Sequence, residues 1–182
     1  MNVMGIDPSI NCTGVCITND KENIYILIPG RCTKKMQQFK SDFISIQCYN
    51  KLDYKDLEYD QKEYIKASNV HRICTILEDL IKQYNIEYVY MEGVSYGSVS
   101  GAALVDLSGL NFAIRCMLIC NNIKFTIVAP TGLKKFAVAN GAADKDLMVY
   151  AWHTLQPQMK NIKDIKVDDL ADAFFLAHNK NP

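Results

Sequence analysis

Short apolar runs punctuated by turn residues open the chain, and a helical period takes over after about residue 60. Residues 2–6 are nearly all apolar and predict a first strand buried on both faces. Pro8, Ser9 and Asn11 form a turn. Thr13–Thr18 predicts a second strand and Ile24–Ile28 a third, and the short connections imply an antiparallel meander. Phe43–Cys48 holds a further short strand candidate inside an acidic, Tyr-rich stretch. From Gln61 to Tyr84, Ile65, Val70, Ile73, Ile76, Leu77, Leu80 and Ile81 recur at the spacing of a long amphipathic helix. Ile86–Met91 then predicts a strand, Gly101–Cys120 a helix apolar on most faces, and Phe125–Val128 a strand ended by Pro130. Thr131–Asn140 reads as a short helix stopped by Gly141. Asp144 caps another running to about Thr154, and Val167–His178 is the last. A meander followed by alternating helices and strands is the order of an α/β domain with a mixed sheet. The expected organisation is one domain over 1–182, with an acidic insertion at about 29–60 and no repeat.

Composition narrows the functional classes. Twenty basic residues balance twenty acidic ones, which counts against a simple nucleic-acid binder. The distribution softens this. From Asn111 to Lys166 there are eight Lys or Arg against three Asp, while acids concentrate at Asp53, Asp56, Glu58, Asp60 and Glu63. The seven cysteines are odd in number and form no CxxC pair, so they read as core thiols of a reducing, cytoplasmic compartment. No signal peptide is expected, and no uninterrupted apolar stretch approaches the roughly 18 residues of a membrane span.

The chemistry lies in where apolar segments end. Val3–Ile6 stops on Asp7, Tyr88–Met91 stops on Glu92, and Asp168, Asp169 and Asp172 enter the last apolar helix. An acid after a strand or at a helix start is by itself an ordinary turn or cap residue. Three strongly apolar carriers make the joint pattern distinctive. Asp169 and Asp172 are three apart and share a helix face, whereas Asp168 points elsewhere. Carboxylates gathered at a buried sheet edge repel one another unless a cation neutralises them, and oxygen donors suit a hard divalent ion. Four of them would suit two Mg²⁺ or Mn²⁺ ions roughly 3.5–4 Å apart. No other cofactor is expected.

Gly5-Ile6-Asp7-Pro8-Ser9 with Thr13-Gly14, then Tyr90-Met91-Glu92-Gly93-Val94, Ala143-Asp144-Lys145 and Asp169-Leu170-Ala171-Asp172-Ala173 follow one another in an order and spacing that resembles the RuvC family of Holliday-junction resolvases. The resemblance spans almost the whole chain except Pro29–Asp60. It implies an RNase H-like fold with a mixed five-stranded sheet and helices on both faces. It also implies Mg²⁺-dependent cleavage of branched DNA, chiefly four-way junctions, and a homodimer with two sites. Carried over, the family's metal-binding and catalytic acids fall on Asp7, Glu92, Asp169 and Asp172. Lys145 falls where the family has a basic residue near the scissile phosphate, and Tyr96 lies near the family's base-engaging aromatic.

Lys134 and Lys135 follow Pro130 on a short helix and are expected, with Lys145 and Tyr96, to contact DNA. His153 and His178 receive no role; His178 marks a helix end. Leu107 and Ile114 on the apolar helix are candidates for the dimer interface, with burial inside one copy as the alternative. The leading reading is a DNA endonuclease using in-line water attack and leaving 5′-phosphate ends. A related ribonuclease acting on structured RNA and a non-catalytic junction-binding protein stand as alternatives. An acetate-kinase or actin-type ATP site fits less well, because Ser9 stands where a phosphate-cradling glycine is needed.

Overall fold

The computed structural model describes residues 1–19, 22–94, 101–162 and 165–179. Strands β1 (Val3–Asp7), β2 (Cys12–Thr18) and β3 (Asn23–Pro29) form the expected antiparallel meander. β5 (Tyr88–Glu92) lies parallel to β1, and β6 (Lys124–Val128) parallel to β5. The sheet has six strands in the order β4-β3-β2-β1-β5-β6, one more than the five expected. The extra edge strand is β4 (Ile44–Ile46), which falls within the Phe43–Cys48 strand candidate and pairs parallel to β3. It spans only three residues at the sheet edge, beyond the five strands that the resemblance implies. The short helix α1 (Lys34–Gln38), capped by the Thr33 hydroxyl, was not expected and buries no residue.

Helices cover both faces. α2 (Tyr59–Gln83) and α3 (Ala102–Cys120) lie on one; α4 (Pro130–Val138), α5 (Lys145–Leu155) and α6 (Val167–Ala177) lie on the other. The two-residue period of the strands divides the core accordingly. Met4, Ile6, Val15, Ile17, Ile26, Val89 and Met91 pack with α2 and α3. Val3, Cys12, Cys16, Tyr25, Leu27 and Tyr90 pack with α5 and α6. Parity therefore sends Gly5 and Asp7 of β1, Gly14 of β2 and Glu92 of β5 to the α6 side.

Residues 29–60 are bolted to the turn after β1. The Tyr49 hydroxyl donates to the Ile10 carbonyl at 2.6 Å, and the Gly30 N–H donates to the Asn11 carbonyl at 2.9 Å. Buried Asn69 of α2 clamps Leu52 from both sides, accepting from its N–H at 2.8 Å and donating to its carbonyl at 3.0 Å.

On α3 the alternative of burial inside one copy holds for Ile114, and one expectation fails. Ile114, a candidate interface residue, is fully buried against the sheet of its own copy, while Leu107 is half-buried. The helix is also long and apolar enough, by length and composition, to cross a membrane, with a mean hydropathy of 1.6 over its most apolar window. Asp106, Ser108, Asn111 and Arg115 break the run without lowering the average, which is why no uninterrupted apolar stretch announces it. Only 22% of that window is buried.

Candidate active site

β1 and β5 are parallel neighbours with Ile6 opposite Met91, so Asp7 and Glu92 end adjacent strands at one sheet edge. Adjacent strands lie about 4.8 Å apart, and equal parity puts both carboxyl groups on the α6 face. A side-chain hydrogen bond joins them. α6 reaches them because β1 and β2 present glycines beneath it. A methyl on Gly5 would strike the Ala173 carbonyl oxygen and the Ala177 N–H; one on Gly14 would strike the Asp169 carbonyl oxygen. Ala171, Ala173 and Ala177 keep the helix side of the contact equally thin. This close approach lowers Asp169 and Asp172, on one face of the first turns of α6, onto the ends of β1 and β5.

The four carboxyl groups perturb one another. Burial pushes the Asp7 carboxyl well above the usual range, and the charges of Glu92, Asp172 and Asp169 add to it. Glu92 is also raised by burial, against the lowering effects of its hydrogen bond to Asp7 and the charges of Lys134 and Lys145. Burial, then Asp168, raises Asp169 to about 6. Burial, then Glu92, raises Asp172 to about 7. Among the described residues, no three His, Cys, Asp or Glu side chains are arranged around one point as a ready ion cage. Asp7 and Glu92 are joined directly by their side-chain hydrogen bond. The donor set still fits a hard divalent cation. All four donors are carboxylates, and each is destabilised in its charged form by burial, by the others or by both, which a cation would relieve.

Lys145 opens α5 beside this cluster. Its ammonium donates to Asp168 at 2.5 Å and lies within electrostatic reach of Asp169 and Asp172. The Asp168 hydrogen bond raises the Lys145 pKa. Burial pulls the Asp168 carboxyl upward, but the Lys145 hydrogen bond and charge, joined by the Lys166 charge and a backbone hydrogen bond, leave Asp168 lowered. Asp144 does not compete for Lys145, because its side chain caps α5 by accepting from the Leu147 N–H at 2.9 Å. Lys134 is half-buried and close enough to Glu92 to favour its charged form. Lys135 is exposed and lays its stem against Gly141. Tyr96 lies outside the described residues. His178 caps the end of α6, as expected.

Three contributors escaped the sequence reading. Asp168 does not point away but anchors Lys145. Buried Cys12, read only as a core thiol, hydrogen-bonds the Asp169 carboxyl. Buried Asn111 of α3 donates to the Glu92 backbone carbonyl at 2.9 Å and so fixes the end of β5. Asp168 alone carried a signal: it flanks two chosen acids on a helix whose start was placed correctly.

No family model matches the sequence, and no curated protein matches it. Solved structures do match in shape. Thermus thermophilus RuvC superposes with a TM-score of 0.61 at 17% identity, over 97% of this chain and 91% of that one. RuvC from T. thermophilus in complex with a Holliday junction substrate gives 0.62 at 14% identity, over 97% and 90%. The yeast mitochondrial Holliday junction resolvase Ydc2 gives 0.55 at 16% identity, over 96% and 75%. The resemblance read from four short motifs thus holds across nearly the whole chain at the level of architecture: this chain has the RuvC-like RNase H fold.

Proposed function

We propose that this protein is a metal-dependent, structure-selective endonuclease that cleaves four-way DNA junctions. The observation that carries the reading is the convergence of Asp7, Glu92, Asp169 and Asp172 at one sheet edge beside Lys145, on a fold shared with junction resolvases. Two Mg²⁺ ions, with Mn²⁺ as a substitute, would when bound lower the pKa of an attacking water and balance charge on the leaving oxygen. Asp7, Glu92, Asp169 and Asp172 would hold them. Lys145, already aimed at the cluster by Asp168, would transfer its hydrogen bond to a phosphate oxygen as negative charge redistributes during in-line attack. The product would carry a 5′-phosphate. Lys134, Lys135 and Tyr96 would contact the DNA, with Lys134 set nearest the cluster.

A second copy of the chain completes the reading, because paired cuts on one junction need two sites held in fixed relation. α3 offers the surface. Val105, Phe112 and Ile119 are 69%, 57% and 64% exposed and, with Gly109 and Cys116 between them, form one stripe at helical spacing. This stripe, rather than Leu107 and Ile114, is the proposed interface.

Labelled four-way junctions, flaps, duplex and structured RNA, each incubated with Mg²⁺ or EDTA, test the proposal. Junction cleavage in Mg²⁺ alone is expected. Preferential cleavage of RNA would favour a ribonuclease, and junction binding without cleavage in Mg²⁺ would mark a non-catalytic binder.

A further inference from the structure

Residues 29–60 read as acidic along the sequence, yet with the start of α2 they enclose a basic pocket on the α2 side of the sheet, beside the turn that follows Asp7. This cavity of about 980 Å³ is lined by Arg31, Lys51, Lys55, Lys62 and Lys66 against Asp53, Asp56 and Glu63. Two of the acids are already engaged. Asp53 pairs with Arg31 at 3.0 Å, and Glu63 pairs with Lys66 at 3.0 Å. Among the described residues, Lys51, Lys55 and Lys62 have no carboxylate partner; Lys51 only donates to the Asn11 side chain at 3.4 Å. Asp56 is the one unengaged acid among them, so the pocket keeps a surplus of positive charge. Glu58 and Asp60, which make the segment look acidic, do not line it.

Its position gives the charge a use. Asn11, on its rim, lies in the turn that links Asp7 to β2. Gly30, also on the rim, follows β3, two strands from β1 and three residues beyond the Leu27 that stands level with Asp7, which places it about 14 Å from the end of β1. The Tyr49, Gly30 and Asn69 hydrogen bonds fix residues 29–60 to the turn and to α2, so their lysines are held rather than trailing. Lys51 and Lys62 are half-buried, consistent with heads that converge on the cavity. A duplex carries one negative charge per about 1.7 Å of axis, so a cut site at the acids would bring further phosphates of the same arm over the pocket.

We propose that this pocket is a second phosphate-binding site, taking the backbone of a duplex arm a few nucleotides from the cut; it rests on the branched-DNA reading above. The lysines touch no base edge in such an arrangement. They supply affinity and orientation of the arm, without sequence preference.

Equilibrium binding of an immobile four-way junction, measured in EDTA at several salt concentrations, tests the site independently of cleavage. Each lost phosphate contact lowers the salt slope by about 0.9. The triple variant Lys51→Ala, Lys55→Ala, Lys62→Ala should therefore lose about two to three in slope and bind at least about tenfold more weakly at physiological salt. Lys124→Ala, at the opposite end of the sheet, should match wild type. Neutral methylphosphonates placed one at a time along an arm should weaken wild-type binding at one or two positions beyond the cut and leave the triple variant insensitive there. A wild-type salt slope in the triple variant overturns the proposal, as does inorganic phosphate protecting the lysines from acylation while duplex does not. Failure of the nuclease reading shows separately, as no Mg²⁺-dependent cleavage by wild-type protein that still binds with the predicted slope.

Discussion

Gly14 passes directly beneath Asp169: a side-chain carbon on Gly14 would collide with the Asp169 carbonyl oxygen and lie 2.6 Å from its carbonyl carbon. The glycine thus sets the height of α6 over the sheet, and with it the distance from Asp169 and Asp172 to Asp7. Gly14→Ala must lift the start of α6. Overpacking of this kind costs about 1–3 kcal/mol. A shift of about 1 Å at a catalytic group costs about 10²-fold in rate. Chemical denaturation and single-turnover junction cleavage read the two effects. Gly132→Ala, whose added methyl meets nothing within 4 Å, should instead be neutral or stabilising by up to about 1 kcal/mol. Equal behaviour of the two variants would remove the glycine floor from the account of the site.

Asp7→Asn should abolish cleavage while junction binding survives or tightens. The substitution keeps the shape of the side chain, so the hydrogen bond to Glu92 can persist, but it removes one charge from a cluster that faces phosphate. Gel-shift and cleavage assays on the same preparation separate the outcomes, and wild-type cleavage by Asp7→Asn would falsify the placement of the catalytic centre.

The raised acids fix how stability depends on pH. Unfolded Asp has a pKa of about 3.9, whereas Asp169 and Asp172 reach about 6 and about 7 in the fold. Between these limits the native state binds more protons than the unfolded state, so stability falls as pH rises. In EDTA, Tm should be highest near pH 5 and decline through pH 8. Mg²⁺ binds the ionised carboxylates and should raise Tm more at pH 8 than at pH 5. Asp172→Asn should raise Tm in EDTA at pH 8 and abolish most of the Mg²⁺ gain. A Tm in EDTA that climbs from pH 5 to 8 would contradict the raised values.

Lys145 and Asp168 should act as one unit. Lys145→Ala is expected to slow single-turnover cleavage by about 10²–10³, the loss typical of one preorganised electrostatic donor. Asp168→Asn leaves the lysine in place but unanchored, and should slow the reaction less. The double variant should be no slower than Lys145→Ala, because Asp168 acts only through the lysine. Lys134→Ala should weaken binding, with a smaller salt slope, and change the rate at saturation little. Additive losses at Lys145 and Asp168 would give Asp168 a separate role.

What could be read from the sequence follows from range. Asp7 and Glu92 were legible because each ends an apolar strand whose period of two is local, and Asp169 and Asp172 because helix spacing is local. β4 was legible as the Phe43–Cys48 candidate, but three residues carry too little pattern to assign it a place in the sheet. The anchoring of Lys145 by Asp168 joins positions 23 apart, and no local rule pairs them. The basic pocket was hidden for a similar reason: Arg31, Lys51 and Lys62 are scattered among acids along the chain and meet only when residues 29–60 fold back on α2. α3 defeated the choice of face because it is apolar nearly all round, so Ile114 and Phe112 look alike until one is found fully buried and the other exposed.

The exposed stripe on α3 should hold two copies together. Val105, Phe112 and Ile119 recur at seven-residue steps with small residues between them, which lets two such helices pack closely. A symmetric dimer places the same stripe on both sides, so one substitution disturbs the interface twice. Wild-type protein should sediment as a dimer at micromolar concentration, and Phe112→Asp as a monomer. The ring is exposed, so the variant should keep its far-UV spectrum and its thermal transition, allowing for the loss of dimer stabilisation. Phe112 also lies under the Arg115 guanidinium at 4.6 Å, so Phe112→Leu serves as a control that removes this contact and keeps an apolar side chain. It should remain dimeric. The monomer should nick junctions on one strand without the paired second cut, which a cruciform plasmid reads as nicked rather than linear product. A wild-type protein that sediments as a monomer, with and without junction, would leave the stripe without a partner copy and remove the dimer from the proposed mechanism.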